Sequence, residues 1–286
     1  MNIQLEITPL DYQIERYVCS KINLTPPESY GKMSKKSLDT VFSLTIEKFP
    51  QEKIKNFNQE IILSIRATMV RTHMISHHSN IISNEKKIVQ DYSNGLDILE
   101  LSKKYDGSPL NLLRIIFQKK YKTKLTKIIT NTDMLDQYDK SQLELAISTD
   151  AYALVNQDQI LKKAILFENQ VAKILDKNNI KYKTQDELVQ EQKQKNSVPT
   201  NTPDFLILSE LTINGTKINW IDAKNFYGSD SKFIKKKIIK RTNKYIKEWG
   251  TGSIIFNLGF CSNLDFQNIL LIDFESFNKF ILIKIY

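Results

Sequence analysis

Apolar side chains recur every three or four positions through the first half of the chain, the spacing of one buried helix face. Ile14, Tyr17 and Val18 mark a helix over residues 10–22, and Thr25-Pro26-Pro27 breaks it. Leu38, Val41, Phe42 and Ile46 mark a second over 37–49, ended by Pro50, and Ile54, Phe57, Ile61, Ile62, Ile65 and Met69 a third over 52–73. These predict a small helical bundle. A more specific pattern follows. A short helix over 86–92 stops at Asn94-Gly95, and a second runs over 96–105. Asp106-Gly107 then turns the chain, Ser108 suits an N-cap, and Pro109 suits the first helical position, where its missing N–H is no loss. The third helix reaches about residue 121, with Leu112, Leu113, Ile115 and Ile116 inward and Asn111, Arg114, Gln118, Lys119 and Lys120 more exposed. This unit, about residues 85–121, resembles a helix-turn-helix. Arg114 and Lys119 are its candidate DNA contacts, although many trihelical units of this kind bind only protein.

From about residue 150 the pattern changes. A long helix over 150–177 precedes strand-length apolar runs at 180–183, 204–208, 218–224, 254–258, 269–272 and 280–285, interrupted by one helix over 231–249. Residues 187–202 are polar and read as a loop. This order predicts an α/β arrangement in which a mixed sheet is covered by two helices. The expected division is a helical region, 1–149, and a sheet domain, 150–286. No internal repeat interrupts either part.

Composition narrows the class. Of 286 residues, 41% are apolar and 26% charged, a balance of folded globular chains and not of disordered ones. No stretch approaches the roughly 18 apolar residues a membrane span needs, so no membrane is expected. Glu6, Pro9 and Asp11 stand where a secretory leader would need an apolar core. Cys19 and Cys261 form no metal-ligand or disulfide pattern, so a reducing, intracellular compartment is expected. Lysine and arginine number 41 against 32 acids, a net charge of +9 that favours a polyanionic partner, nucleic acid first. The plainer alternative is A/T-rich coding, since Arg16, Arg66, Arg71, Arg114 and Arg241 are the only arginines.

Two segments carry candidate chemistry: Thr202-Pro203-Asp204-Phe205 opening one strand, and Trp220-Ile221-Asp222-Ala223-Lys224 closing the next. Side chains alternate along a strand, so Asp222 and Lys224 share a face while Ile221 and Ala223 take the other. With neighbouring strands about 5 Å apart, Asp204 can sit beside Asp222 across an antiparallel pair. Two carboxylates and an amine at one sheet edge suit Mg²⁺, which keeps several waters and prefers a site completed by a substrate phosphate. A metal would also relieve the repulsion between the acids. An ordinary Asp–Lys pair at a strand end is the alternative. The helix over 231–249 is the most basic segment, with Lys232, Lys235, Lys236, Lys237, Lys240, Arg241, Lys244 and Lys247 against Glu248. Apolar positions 233, 234, 238 and 239 can face the sheet, leaving Lys236, Lys237, Lys240, Arg241 and Lys244 to steer a DNA backbone, or simply to be solvated. His73 and His77 share a helix face where zinc is conceivable. With no further Cys or His nearby, a hydrogen-bonded structural motif is the expectation.

At these residues the chain resembles the PD-(D/E)xK nuclease superfamily, and within it the Thr-Pro-Asp motif family of codanin-interacting nucleases. The resemblance covers most of the chain. Arg71-Thr72-His73 with His77-His78, the helix-turn-helix, the Thr202 and Trp220 segments, Phe226-Tyr227-Gly228 and the series Gly250, Gly252, Gly259-Phe260 stand in the family's order and approximate spacing. It implies a restriction-endonuclease-like fold in the second half. It also implies Mg²⁺, with Mn²⁺ as a substitute, held by Asp204, Asp222, the Ala223 carbonyl and Glu168, and Lys224 as catalytic lysine. Two positions depart from the pattern: Asp222 stands where relatives often carry Glu, and Arg241 stands near where a glutamine is common. DNA hydrolysis, in structured or branched DNA as in the related junction resolvases, is the implied activity. A codanin-like partner and nuclear residence, with a cytoplasmic pool alongside, are implied with it. The rival expectation is a nuclease fold that assembles with such a partner in chromatin assembly and cuts weakly or not at all.

Overall fold

The computed structural model describes residues 1–152, 157–194 and 202–279. In chain order, a two-residue strand β1 (Asn2–Ile3) precedes helices α1 (Tyr12–Lys21), α2 (Lys35–Lys48) and α3 (Gln59–Ser83). Helices α4 (Glu85–Ser93), α5 (Ile98–Tyr105), α6 (Pro109–Tyr121), α7 (Leu125–Thr130) and α8 (Gln137–Thr149) follow, then α9 (Gln157–Lys177). The remainder is β2 (Tyr182–Thr184), α10 (Gln185–Gln194), β3 (Phe205–Ile207), β4 (Thr212–Ile213), β5 (Thr216–Lys217), β6 (Trp220–Lys224), α11 (Lys232–Trp249), β7 (Gly252–Phe256), β8 (Ile269–Asp273) and α12 (Phe274–Lys279). The chain is thus mixed α/β, a helical N-terminal region followed by mixed sheets with helices. Among the described residues, no helix is long and apolar enough to cross a membrane.

Two compact units divide it, one of Met1–Ser20, Phe42–Ile65 and Ile160–Tyr286, the other of Lys21–Val41 and Arg66–Gln159. Residues 1–20 and 42–65, which hydropathy groups with the helical half, therefore lie in the unit that carries the sheets. One cause is β1, too short to show a period, which pairs in parallel with β4 through Asn2↔Thr212 and Ile3↔Ile213.

In the helical unit, α4, α5, α6 and α8 close around one core that includes Ile88, Ile98, Leu101, Leu112, Leu113, Ile116, Phe117 and Leu143. Asp97 starts α5 with a reciprocal capping box to Glu100, and Ser108 caps α6 ahead of Pro109. Between the two helices Asp106 takes a left-handed conformation at φ 50°. Asp139 of α8 is fully buried yet satisfied. It accepts from the Tyr92 hydroxyl at 2.7 Å and from the Tyr121 hydroxyl, and it pairs with Lys120 at 2.7 Å.

In the other unit, five strands run in the order β2-β3-β6-β7-β8, antiparallel from β2 to β6 and parallel from β6 to β8. Parallel neighbours need a crossover, and α11 supplies it between β6 and β7. Phe167, Val171, Ile174 and Leu175 of α9 share a core with Phe205, Ile207, Ile221, Ala223, Ile255 and Ile272. The opposite side chains of β6 start with Trp220, whose ring meets Tyr245 of α11 edge-on. Gly252 is glycine for this packing, because a Cβ there would come within 2.2 Å of the Trp220 indole. The buried line of α11 is Ile234, Ile238, Thr242 and Tyr245, and Ile239, expected to face the sheet, is exposed.

The expected loop over 187–202 is in part helix α10. Thr184 and Glu187 cap its start reciprocally, the Glu187 carboxylate accepting from the Thr184 N–H at 2.7 Å. Its low apolar content hid it, since Leu188 is its one buried side chain. Residues 195–201, and the expected strand over 280–285, lie outside the described residues. An unforeseen hairpin, β4 and β5, turns at Asn214-Gly215, both with positive φ as a tight two-residue turn requires.

Candidate active site

The β3/β6 register pairs Phe205 with Ile221 and Leu206 with Trp220, so one further step sets Asp204 opposite Asp222. Both acids are buried, at 6% and 1% exposure. Alternation puts Lys224 on their side of β6, where its ammonium is ion-paired to Asp222 and lies 3.8 Å from Asp204. From α11, the Arg241 guanidinium approaches Asp204 at 3.6 Å and Asp222 at 3.8 Å. The Asp204 Oδ2 accepts from the Ala223 N–H at 2.7 Å, while the Ala223 carbonyl accepts from Lys224 Nζ at 3.4 Å.

The two acids are driven in opposite directions. Burial raises Asp204 well above the ordinary carboxylate range, and the Asp222 charge raises it further. Burial also opposes ionisation of Asp222, but the Lys224 and Arg241 charges together outweigh it and hold its carboxyl below the usual value. Glu168 on α9 is half-buried. Desolvation raises its carboxyl, with Lys224 lowering it and Asp222 raising it. All three acids therefore share one electrostatic environment.

Every sequence-predicted member of this group is brought together: Asp204, Asp222, Ala223 and Lys224 by direct contact, Glu168 through its charge coupling. Lys236, Lys237, Lys240 and Lys244 are exposed along α11. Arg114 and Lys119 are exposed on α6 in the helical unit, with Lys119 paired to Glu85 at 2.7 Å. The donor set fits a hard divalent cation. It is all oxygen. While Asp222 Oδ2 is taken by Lys224, the buried Asp222 Oδ1 has, among the described residues, no hydrogen-bond donor and only the Arg241 guanidinium at 3.8 Å, which leaves it open to a cation.

Two supporting groups escaped the sequence reading. The Tyr245 hydroxyl accepts from Arg241 Nε at 2.6 Å and donates to the Thr202 carbonyl at 3.1 Å, linking the arginine to the Thr-Pro-Asp segment. The signal was the four-residue spacing of Arg241 and Tyr245 on a helix. Glu15 of α1 is buried and accepts from the Ser229 hydroxyl, from the Asp230 N–H at 3.0 Å and from the Tyr227 hydroxyl at 3.1 Å. It holds the segment joining β6 to α11, and no local pattern announces a partner more than 200 residues away.

Two opposed buried carboxylates with a lysine and an arginine, at the end of the central strand of a mixed sheet, define an acid–acid–lysine site. Residues 135–275, close to half of the chain, match the family described as "Protein of unknown function TPD sequence-motif". Over 242 residues, 77% of this chain and 81% of the relative, it is 24% identical to the mouse (Mus musculus) protein named CDAN1-interacting nuclease 1, a distant homology over most of its length. It is 28% identical over 151 residues to an uncharacterized protein of Acanthamoeba polyphaga mimivirus, covering 51% of this chain and 53% of that one. The chain thus spans about half the length of the viral relative. No solved structure matches it.

Proposed function

We propose that this protein is a metal-dependent nuclease of the PD-(D/E)xK type, with a restriction-endonuclease-like sheet, that hydrolyses phosphodiester bonds in DNA. The observation carrying this reading is the convergence of Asp204, Asp222 and Lys224 on one side of β6. The distant homology to a protein named as a nuclease supports it. Asp204 and Asp222 would hold Mg²⁺ or Mn²⁺, with Glu168 and the Ala223 carbonyl completing the set. Bound there, the cation would lower the pKa of a water and offset charge on the phosphate. Lys224 orients the attacking water and faces the negative charge that grows as oxygen bonds to phosphorus. The attacking water gives up its proton to solvent, the ester bond opposite breaks in line, and the leaving oxygen takes up a proton from solvent. Arg241, half-exposed and tied by Tyr245, clamps a phosphate oxygen. Lys236, Lys237, Lys240 and Lys244 draw the backbone in, and Arg114 and Lys119 of the helix-turn-helix add a second contact to structured or branched DNA. This work belongs in the nucleus, in the company of a codanin-like protein.

One observation favours a second reading. Arg241 already sets a positive group within 4 Å of both acids, a substitute for some of the charge a metal would bring. On that reading the fold serves chiefly as the codanin-like protein's partner, and catalysis is weak. Purified protein incubated with linear and branched DNA in Mg²⁺ or Mn²⁺ separates the two. The nuclease cleaves, and Asp222→Ala or Lys224→Ala lowers the rate by about 10²-fold or more. Wild type and both variants leaving DNA equally uncut would end the enzyme reading.

A further inference from the structure

The carboxylate site leaves one cluster of metal-ligating side chains unused. His73 and His77 stand four residues apart on α3 and point toward Asp106, in the turn between α5 and α6. A candidate donor atom from each of the three lies within 4.8 Å of the other two. His73 Nε2 is 2.8 Å and His77 Nε2 3.4 Å from the same oxygen, Asp106 Oδ2. The imidazole rings lie 4.0 Å apart. All three residues belong to the helical unit. Asp106 was invisible to the sequence reading because it lies 33 residues beyond His73.

Three features go beyond a histidine–aspartate ion pair. His77 Nδ1 is 3.0 Å from the His73 carbonyl, which can only accept, so Nδ1 serves as the donor and Nε2 is the nitrogen turned to the carboxylate. Nε2 is therefore the ring atom of His77 that is placed to ligate an ion, 3.4 Å from the carboxylate oxygen that would share it. The outer contacts are those that metal-binding histidines and carboxylates use. Ser76 Oγ lies 3.1 Å from His77 Nδ1, and the Tyr30 hydroxyl lies 3.1 Å from both Asp106 Oδ1 and the Asp106 carbonyl. The spacing also suits a small tetrahedral ion. Bonds of about 2.0–2.1 Å set donor atoms roughly 3.3 Å apart, so the His77–Asp106 pair stands at ligand distance and the His73–Asp106 pair needs to open only slightly. Half-exposed side chains leave a path for an ion to enter.

We propose that His73, His77 and Asp106 form a zinc site in the helical unit. Two imidazoles and a carboxylate select Zn²⁺ over Mg²⁺, since imidazole suits zinc and magnesium demands oxygen. Three protein ligands leave one tetrahedral position to water. The ion fastens α3 to the turn ahead of α6, the helix that carries Arg114 and Lys119, and so fixes the helix-turn-helix against the His73–His77 turn of α3.

The test is calorimetric titration of the chelator-treated full-length chain with Zn²⁺ alone, repeated with Co²⁺ to read coordination geometry from its visible absorption. Wild type binds one Zn²⁺ per chain at about 1 µM or tighter and gives the intense bands of tetrahedral Co²⁺. Asp222→Ala binds equally well, which separates this site from the carboxylate pair. His77→Ala, at a half-exposed helix position, and Asp106→Asn, which keeps a residue tolerant of left-handed backbone, each weaken binding by 10–100-fold with an unchanged circular-dichroism spectrum. Absence of stoichiometric binding, or zinc held by both variants as tightly as by wild type, would overturn the proposal and leave the nuclease reading untouched.

Discussion

Asp204 and Asp222 face each other across two strands, yet their surroundings send the shared proton to one side. Lys224 is bonded to Asp222 and only near Asp204, and Arg241 reaches both. In the metal-free protein Asp222 therefore carries the charge and Asp204 stays protonated at neutral pH. Replacing a buried neutral acid by its amide removes little, whereas replacing a paired carboxylate strips Lys224 and Arg241 of their closest counter-charge. Asp204→Asn should thus change unfolding free energy by less than about 1 kcal/mol, and Asp222→Asn should cost about 1–3 kcal/mol, both read by urea denaturation without divalent ions. Equal losses would mean that the charge is shared. This pair was legible in the sequence because alternation along a strand fixes which side chains share a face. Arg241 was legible only as one cation in a lysine-rich helix, and its reach to both acids depends on where α11 lies over β6. No periodicity encodes that.

Among the elements, those with a strong period were readable: α6 and the strands β6, β7 and β8 emerge within two residues of their expected places. The long helix ends at Lys177 as expected, although Asp150, its expected start, caps the end of α8 and the described helix runs from Gln157. Those missed are short or lean on distant partners. Strands β1 and β4 have two residues each and exist only through each other and the β4–β5 hairpin. Helix α10 is held by its cap more than by buried side chains. Glu15 shows the same dependence on distance, with consequences for pH. Burial raises its carboxyl above the ordinary glutamate value of 4.5, and the bonds from Ser229 and Tyr227 only partly counter this. Below that value both folded and unfolded chains are protonated, and the contribution to stability is intact. As pH rises above it, the unfolded chain releases its proton first, so stability falls until the folded carboxyl ionises too. Glu15→Gln stays neutral throughout, and the Tyr227 hydroxyl can turn to accept from the amide. Melting temperatures from pH 5 to 7 should therefore decline less steeply in the variant than in wild type. Parallel curves would show that Glu15 titrates alike in both states.

Over the whole molecule the net charge is +9, and α11 concentrates eight cations between Lys232 and Lys247 with no acid among them. Diffuse and focused charge behave differently toward DNA. A diffuse excess attracts the polyanion weakly from all sides, so neutralising any three lysines has a similar small effect. A basic helix beside a phosphate-handling site instead makes individual phosphate contacts, each releasing counterions and adding about 0.9 to the slope of log affinity against log salt. Lys236, Lys240 and Lys244 are exposed on one helix at spacings of four, so they lie along one stripe. Their simultaneous replacement by glutamine should reduce that slope by about 2–3, measured by fluorescence anisotropy between 50 and 200 mM salt, and weaken binding by more than 10-fold at the lower end. Three exposed lysines elsewhere, Lys86, Lys103 and Lys127 of the helical unit, make the control with the same change in net charge. An unchanged slope in the α11 triple, or an equal drop in the control, would assign the affinity to net charge alone and remove α11 from the DNA path. Arg114→Gln and Lys119→Gln extend the same measurement to the helix-turn-helix. A smaller slope there means that α6 touches backbone, and an unaltered one makes the trihelical unit a packing or protein-binding element.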